Sequence, residues 1–139
     1  MASRLNAAEA KRLQDFLKGQ QIAVVATLSR DGTPQLTPLW YGVSGAKLTF
    51  STIKETVKYR NLVRDGRMTV CVYSEPAAKE YATIWGYAEI SDDESIWPLT
   101  RELVDRYEDP DAAEARMRRL RTQNRIIISL EPDRVVFRR

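Results

Sequence analysis

The sequence predicts an α+β fold: an antiparallel sheet of six or seven short strands closed into a small barrel, with helices packed outside it. Three observations carry this expectation. Short runs rich in β-branched and apolar residues recur along the chain, turn chemistry separates them at Ser29–Pro34, Ser44–Ala46 and Ser74–Glu80, and strands do not alternate regularly with helices as a doubly wound parallel sheet requires. Neither GxGxxG nor GxxxxGK[ST] occurs, so nucleotide binding of those two kinds has no support.

The elements follow in order. Leu5, Leu13, Phe16 and Leu17, with Asn6-x-x-Glu9 as a capping signal, predict a helix over Ala7–Lys18 closed by Gly19. Ile22–Leu28 reads as a buried strand. Asp31-Gly32 permits positive φ and Pro34 stops pairing, so a turn leads into a second strand over Gln35–Val43. After Ser44-Gly45-Ala46 a third strand covers Lys47–Ser51. Thr52-x-x-Glu55 matches a capping box for a helix ending near Asp65-Gly66. Met68–Tyr73 and Thr83–Ile90 are two further strands. Helices are expected over Asp92–Tyr107 and Asp111–Thr122, and a terminal strand pair, Ile126–Leu130 and Arg134–Phe137, flanks Glu131-Pro132-Asp133.

At 139 residues the chain fits one domain, 1–139, large enough to bury roughly two-thirds of the surface of its unfolded form. Hydrophobic residues at 43% and charged residues at 29% suit a soluble protein, and no apolar run approaches the roughly 18 residues that span a bilayer. The beginning MASRLNAAEAKR lacks an apolar signal region and the lone Cys71 has no partner in the chain, so the expected location is cytoplasmic. Cys71, within MTVCVY, reads as a small buried residue.

Two absences narrow the chemistry. The chain has no histidine and a single cysteine. Ser-His-Asp and Cys-His nucleophilic machinery, histidine metal ligands and a thiolate zinc site are thereby excluded, and no metal is expected. Catalysis would rest on carboxylates, Lys, Tyr or Arg, or on a cofactor that brings its own chemistry. The second option suits the composition better.

The segment Asp31–Leu62 concentrates the candidate site. Strands run straight into a helix carrying Lys54, Lys58 and Arg60. A helix start presents unpaired N–H groups and the positive end of the helix dipole, so a phosphate can sit there, with Ser51 and Thr52 adding hydroxyl donors. Glu55 in the same turn would repel the anion unless turned away, and a solvated, capped surface helix explains the same residues. Aromatic residues Trp40, Tyr41 and Trp85 lie on strands, where packing is the commoner role. Near the C-terminus Arg116, Arg118, Arg119, Arg121 and Arg125 follow an acidic stretch, Asp92–Glu114. These arginines either hold an anionic ligand tail or neutralise the acidic helix; the second reading is favoured. The net charge of +3 is a weak signal for nucleic acid without a recognised module.

The ordered set DG-turn, PLWYGV, KLTFST, KYRNL, WGYAEI and RIIISLEPDRVVF resembles the pyridoxamine 5'-phosphate oxidase-like split β-barrel superfamily over Leu13–Phe137, and most closely its deazaflavin (coenzyme F(420))-dependent oxidoreductase branch. The resemblance implies an FMN-binding split barrel type of fold and a homodimer with cofactor sites at the subunit interface. It also implies hydride transfer between coenzyme F(420) and a small unsaturated substrate. Alternatives within the same fold are an FMN-dependent oxidase or reductase and a non-catalytic flavin or deazaflavin carrier. Carried over by position, Lys58 matches the phosphate-binding lysine, Ser51, Thr52 and Lys54 line the same phosphate, and Arg60 supports it. Thr37, Pro38, Leu39 and Trp40 match the strand that faces the ring system. The proton donor is unassigned, with solvent, Tyr41 or an arginine as options, and neither the substrate nor a role in membranes or nucleic acid is implied.

Overall fold

The computed structural model describes residues 4–138, so both ends of the expected domain, 1 and 139, lie outside the described residues. Seven strands and four helices follow one another as α1 (Ala7–Lys18), β1 (Ala23–Leu28), β2 (Pro34–Leu39), β3 (Gly42–Ser44), β4 (Lys47–Ile53), α2 (Val57–Arg64), β5 (Arg67–Tyr73), β6 (Tyr81–Ser91), α3 (Ile96–Tyr107), α4 (Pro110–Leu120) and β7 (Arg125–Arg138). Every strand pairing is antiparallel, and the sheet order is β2-β1-β5-β6-β7-β4-β3. β2 and β3 are the two free edges of this sheet, yet only Trp40 and Tyr41 separate them in sequence. The sheet must therefore curl so that the end of one edge strand lies near the start of the other without pairing with it, and the fold is a split barrel of the α+β class. Pro34 and Pro38 on β2 cannot donate to a neighbour, which blunts that edge.

The core fills the curl. Val25, Phe50, Leu48, Val70, Val72, Ile84, Ile126, Ile128 and Leu130 alternate with outward residues and are fully buried with Leu13 and Leu17 of α1. α1 begins as expected: Glu9 N–H donates to Asn6 Oδ1 at 2.8 Å, and Asn6 N–H donates back to Glu9 Oε1 at 3.2 Å. α3 lies over β3, β4 and β7, and α4 packs on α3 through Val104, Ala113, Met117 and Leu120. Among the described residues no helix is long and apolar enough to cross a membrane.

Four expectations are corrected. The predicted strand Gln35–Val43 is two strands, because Trp40–Tyr41 is the crossing from one sheet edge to the other. The predicted third strand runs on to Ile53, since β7 pairs with it as far as Ile53↔Arg125. Thr52 is therefore a strand residue, and α2 starts at Val57 with Thr56 as its cap: Tyr59 N–H donates to Thr56 Oγ1 at 3.3 Å. Finally, the expected terminal pair is one continuous strand, β7. Glu131-Pro132-Asp133 does not turn the chain; Trp85 faces Arg134 while Gly86 faces Pro132, so Asp133 is the extra residue of a bulge. Gly86 is required there, because a Cβ would stand 2.5 Å from the Glu131 carbonyl oxygen.

The outer face of the sheet carries its own pattern. Registers align Leu36, Ala26, Thr69 and Trp85 in one row across β2, β1, β5 and β6, and Pro38, Val24, Cys71, Thr83 and Val136 in the next. Leu36, Tyr87 and Val136 are exposed apolar side chains on this face. Cys71 is half-buried within it, and burial pushes its thiol above the usual range.

Candidate functional site

The split between β2 and β4 opens into a cleft of about 240 Å³. Pro38, Leu39 and Trp40 form one wall, Ser51 and Arg125 the opposite one, and Leu103, Val104, Arg116 and Leu120 of α3 and α4 cover it. Four of the residues expected from sequence, Pro38, Leu39, Trp40 and Ser51, are thus brought together. Arg125 faces the cleft because it lies opposite Ile53 on the β4–β7 ladder, two residues from Ser51 and on the same sheet face. Its Nη2 donates to Ser51 Oγ at 2.8 Å and its Nη1 to Gln123 Oε1 at 2.9 Å, while its buried Nε has no acceptor among the described residues.

Lys58 lies one residue into α2, whose first turn carries no acidic side chain. The helix starts later than the capping pattern suggested, and this removes the expected repulsion: Glu55 precedes the helix and accepts from Asn124 Nδ2 at 3.3 Å. Lys58 is 8% exposed and makes no hydrogen bond or ion pair with the described residues. Burial lowers its pKa from the ordinary lysine value, and the positive charge of Arg125 lowers it further. Arg125 is itself lowered by burial and by Arg116. Lys58 does not line the cleft itself but feels the charge of Arg125, which in turn feels that of Arg116. Of the three, only Arg116 has a carboxylate among the described residues, Glu108, at 2.9 Å. Thr37 adds a further orphan: its Oγ1 is buried without a partner on the inward face of β2.

The other expected residues are placed elsewhere. Thr52 points to the opposite sheet face from Ser51, is buried, and donates to Thr56 Oγ1 at 3.4 Å. Lys54 precedes α2 and pairs with Asp92 at 3.1 Å. Arg60 is exposed, on the far side of α2 from Lys58, and its Nη1 donates to the Glu55 carbonyl at 3.2 Å. Of the C-terminal arginines, Arg116 and Arg125 reach the cleft, whereas Arg121 lies over Trp97. Of these arginines, Arg116 pairs with a carboxylate of the acidic stretch, Glu108; Asp105 and Glu114 pair instead with Arg101, inside that stretch.

Trp40 is held on both faces. Tyr107 stacks parallel to it with ring centroids 4.4 Å apart, and Arg116 lies 4.7 Å from its centroid. It offers the cleft an edge and not a face. Tyr41 is fully buried and donates to the Leu17 carbonyl at 2.6 Å; burial pushes its pKa up to about 12, so it is not poised to give up a proton. Arg116 and Arg125 belong to a run whose favoured reading in the sequence is charge neutralisation, so nothing there pairs them across a cleft. The available signal was the position of Arg125 at the start of an apolar strand, outside the helix.

Known proteins share this fold. A family model described as Pyridoxamine 5'-phosphate oxidase matches residues 10–138. Among solved structures, a conserved hypothetical protein from Mycobacterium tuberculosis superposes with a TM-score of 0.78 at 21% identity, covering 99% of this chain and 89% of that one. An F(420) reductase superposes at 0.70 with 26% identity, covering 88% and 94%. A protein from Listeria innocua described as a putative pyridoxamine 5'-phosphate oxidase superposes at 0.71 with 18% identity, covering 92% and 96%. No curated protein matches the sequence.

Proposed function

The chain belongs to the pyridoxamine 5'-phosphate oxidase family, and from that premise we propose that it is a deazaflavin-dependent oxidoreductase, transferring a hydride between coenzyme F(420) and a small unsaturated organic substrate. One observation carries the reading: the split holds buried cationic donors in excess of acceptors. Among the described residues Lys58 has no counter-ion, and Arg125 Nε and Thr37 Oγ1 are buried without partners. Buried charge of this kind is costly unless an anion arrives to pair it. A phosphate, with several acceptor oxygens and a double negative charge, fits this donor set.

Lys58 and Arg125 would hold the phosphate, with Ser51 orienting the Arg125 fork, and Pro38, Leu39 and the edge of Trp40 would border the ring. When bound, the cofactor supplies the hydride chemistry itself. The chain's residues bind it, orient it and keep water from it, which is consistent with a protein lacking histidine. An FMN-dependent oxidase or reductase is the second reading, favoured by the family whose model matches. Titration of the purified protein with each cofactor separates the two. We expect coenzyme F(420) to bind in preference to FMN, and its reduced form to be oxidised by an enone or quinone. Preference for FMN, or binding without turnover across such acceptors, would reject the first reading.

The same reading includes a homodimer. The rows containing Leu36, Trp85 and Val136 give the outer sheet face a broad, largely apolar surface, of the kind that two copies bury against one another. Sedimentation of the native chain should give twice the monomer mass, and Trp85→Asp should give monomers. A monomer at micromolar concentration in the native chain counts against this assembly.

A further inference from the structure

A second cluster of cations lies on the other side of α2 and plays no part in the cofactor seat. Arg30, Tyr59, Arg60, Asn61, Val63 and Arg64 line a cleft of about 460 Å³ between the β1–β2 hairpin and this helix. Three of its six lining residues are arginines and none is acidic. Arg60 and Arg64, four residues apart, share one helix face, while Lys58, two residues before Arg60, is turned about 200° away at 3.6 residues per turn. The helix thus separates two basic surfaces.

The guanidinium groups here are fixed without being neutralised. Arg64 Nη2 donates to the Leu28 carbonyl and, at 3.0 Å, to Asn61 Oδ1. Asn61 is itself held, since its Nδ2 donates to the buried Thr27 Oγ1 at 3.1 Å. Arg60 is tethered through Nη1 to a backbone carbonyl. Each acceptor is uncharged, and each arginine keeps other N–H donors directed to solvent or the cleft. Arg30, at the hairpin tip, makes no contact of this kind among the described residues. The carboxylates next to these arginines in sequence have partners of their own: Asp31 accepts from Thr33 N–H at 3.0 Å, and Asp65, although it feels Arg64, is clasped by Arg67 at 2.7 Å.

We propose that this cleft is a second anion site, which takes a small ligand bearing several oxyanion groups, either phosphates or carboxylates. Three guanidinium forks around one concavity match several oxyanions at once, whereas a single anion would leave at least one fork unmatched. Tyr59 and Val63 give the ligand's carbon skeleton an apolar wall.

The test is calorimetric titration at constant ionic strength in a Lys58→Met background, which weakens the cofactor seat, so that the substitutions in the second cleft report on that cleft alone. Tripolyphosphate and citrate serve as the phosphate and carboxylate probes, with orthophosphate as the single-anion control. We expect saturable binding of at least one probe, tighter than orthophosphate, and a loss of about tenfold or more with Arg30→Gln and Arg60→Gln together, equivalent to ~1.4 kcal/mol. Whichever probe binds more tightly identifies the oxyanion class. Absence of saturation, affinity no tighter than that of orthophosphate, or affinity unchanged by the two substitutions would overturn the proposal. The result is independent of the cofactor reading, because coenzyme F(420) binding should survive Arg30→Gln and Arg60→Gln in a chain that retains Lys58.

Discussion

Lys58→Met is expected to abolish high-affinity cofactor binding and, in the same protein, to raise the stability of the cofactor-free fold. The two effects have one cause. Lys58 is 8% exposed with no counter-ion among the described residues, and burial together with the repelling charge of Arg125 disfavours its protonated form. The cofactor-free protein therefore bears the cost of a desolvated cation, and a thioether of similar length removes that cost. Replacing buried charge by apolar groups is often stabilising by about 1–4 kcal/mol, and the low end applies here because Lys58 is not wholly enclosed. Loss of a charge-assisted contact to phosphate removes ~1.5–3 kcal/mol, about 10- to 100-fold in affinity. Urea denaturation of both proteins checks the first effect, and cofactor titration checks the second. A destabilised Lys58→Met would show that the lysine has a structural partner; unchanged affinity would remove it from the phosphate seat.

The pH dependence of that difference has a definite sign. A lysine whose folded pKa is depressed binds fewer protons in the folded state than in the unfolded state, between its folded pKa and 10.5, so stability rises with pH across that window. The penalty is complete below the folded value and relieved above the unfolded one. The stability gap between Lys58→Met and the native chain should thus narrow as pH approaches 10.5. Tyr41, Tyr107 and Cys71, all raised by burial, act in the opposite sense but are common to both proteins and cancel in the comparison.

What could be read from sequence divides according to the range of the interaction that decides it. The first helix was legible because both halves of its capping box, Asn6 and Glu9, lie three residues apart and act locally. Its successor was not. Thr52-x-x-Glu55 has the same local form, but the ladder from β7 holds Thr52 and Ile53 in strand geometry, and Thr56 takes the cap. Tertiary pairing likewise decided β7, where Pro132 was read as a turn; Gly86 on the neighbouring strand leaves room for a bulge instead. The site shows the same division. Lys58 could be picked out as a basic residue near a helix start, whereas Pro38 to Trp40 came from the family resemblance, and the crossing that follows them lay hidden inside one expected strand, 35–43. Arg125 reaches Ser51 across 74 residues, through strand pairing that no local pattern encodes.

Arg106 joins the cleft wall to the rest of the fold, and its replacement is expected to cost more stability than any change within the cleft. Its Nη1 donates to the Tyr41 carbonyl at 3.0 Å, and its Nη2 donates to the carbonyls of Leu17, at 2.9 Å, and Gln20, at 2.5 Å. The guanidinium plane also lies 4.3 Å from the Tyr41 ring centroid and 5.1 Å from that of Tyr107. One side chain therefore ties the end of α1, the Trp40–Tyr41 crossing and the last turn of α3. Tyr107 reinforces the same knot by donating to the Gln21 carbonyl at 2.7 Å and accepting from Tyr41 N–H at 2.9 Å. Hydrogen bonds from a charged donor contribute ~1.5–3 kcal/mol each, though they are not additive. Arg106→Ala should therefore lose about 3–5 kcal/mol, read as a lower urea midpoint at unchanged slope. Arg106→Lys should recover little, since one ammonium cannot span three carbonyls in the plane of a fork or stack between two rings. Because Trp40 stacks on Tyr107, loosening this knot also frees the aromatic wall, and cofactor affinity should fall in Arg106→Lys under conditions where it remains folded. A variant that is destabilised yet binds cofactor as the native chain does would show that Trp40 is positioned by Arg116 and the strand end alone.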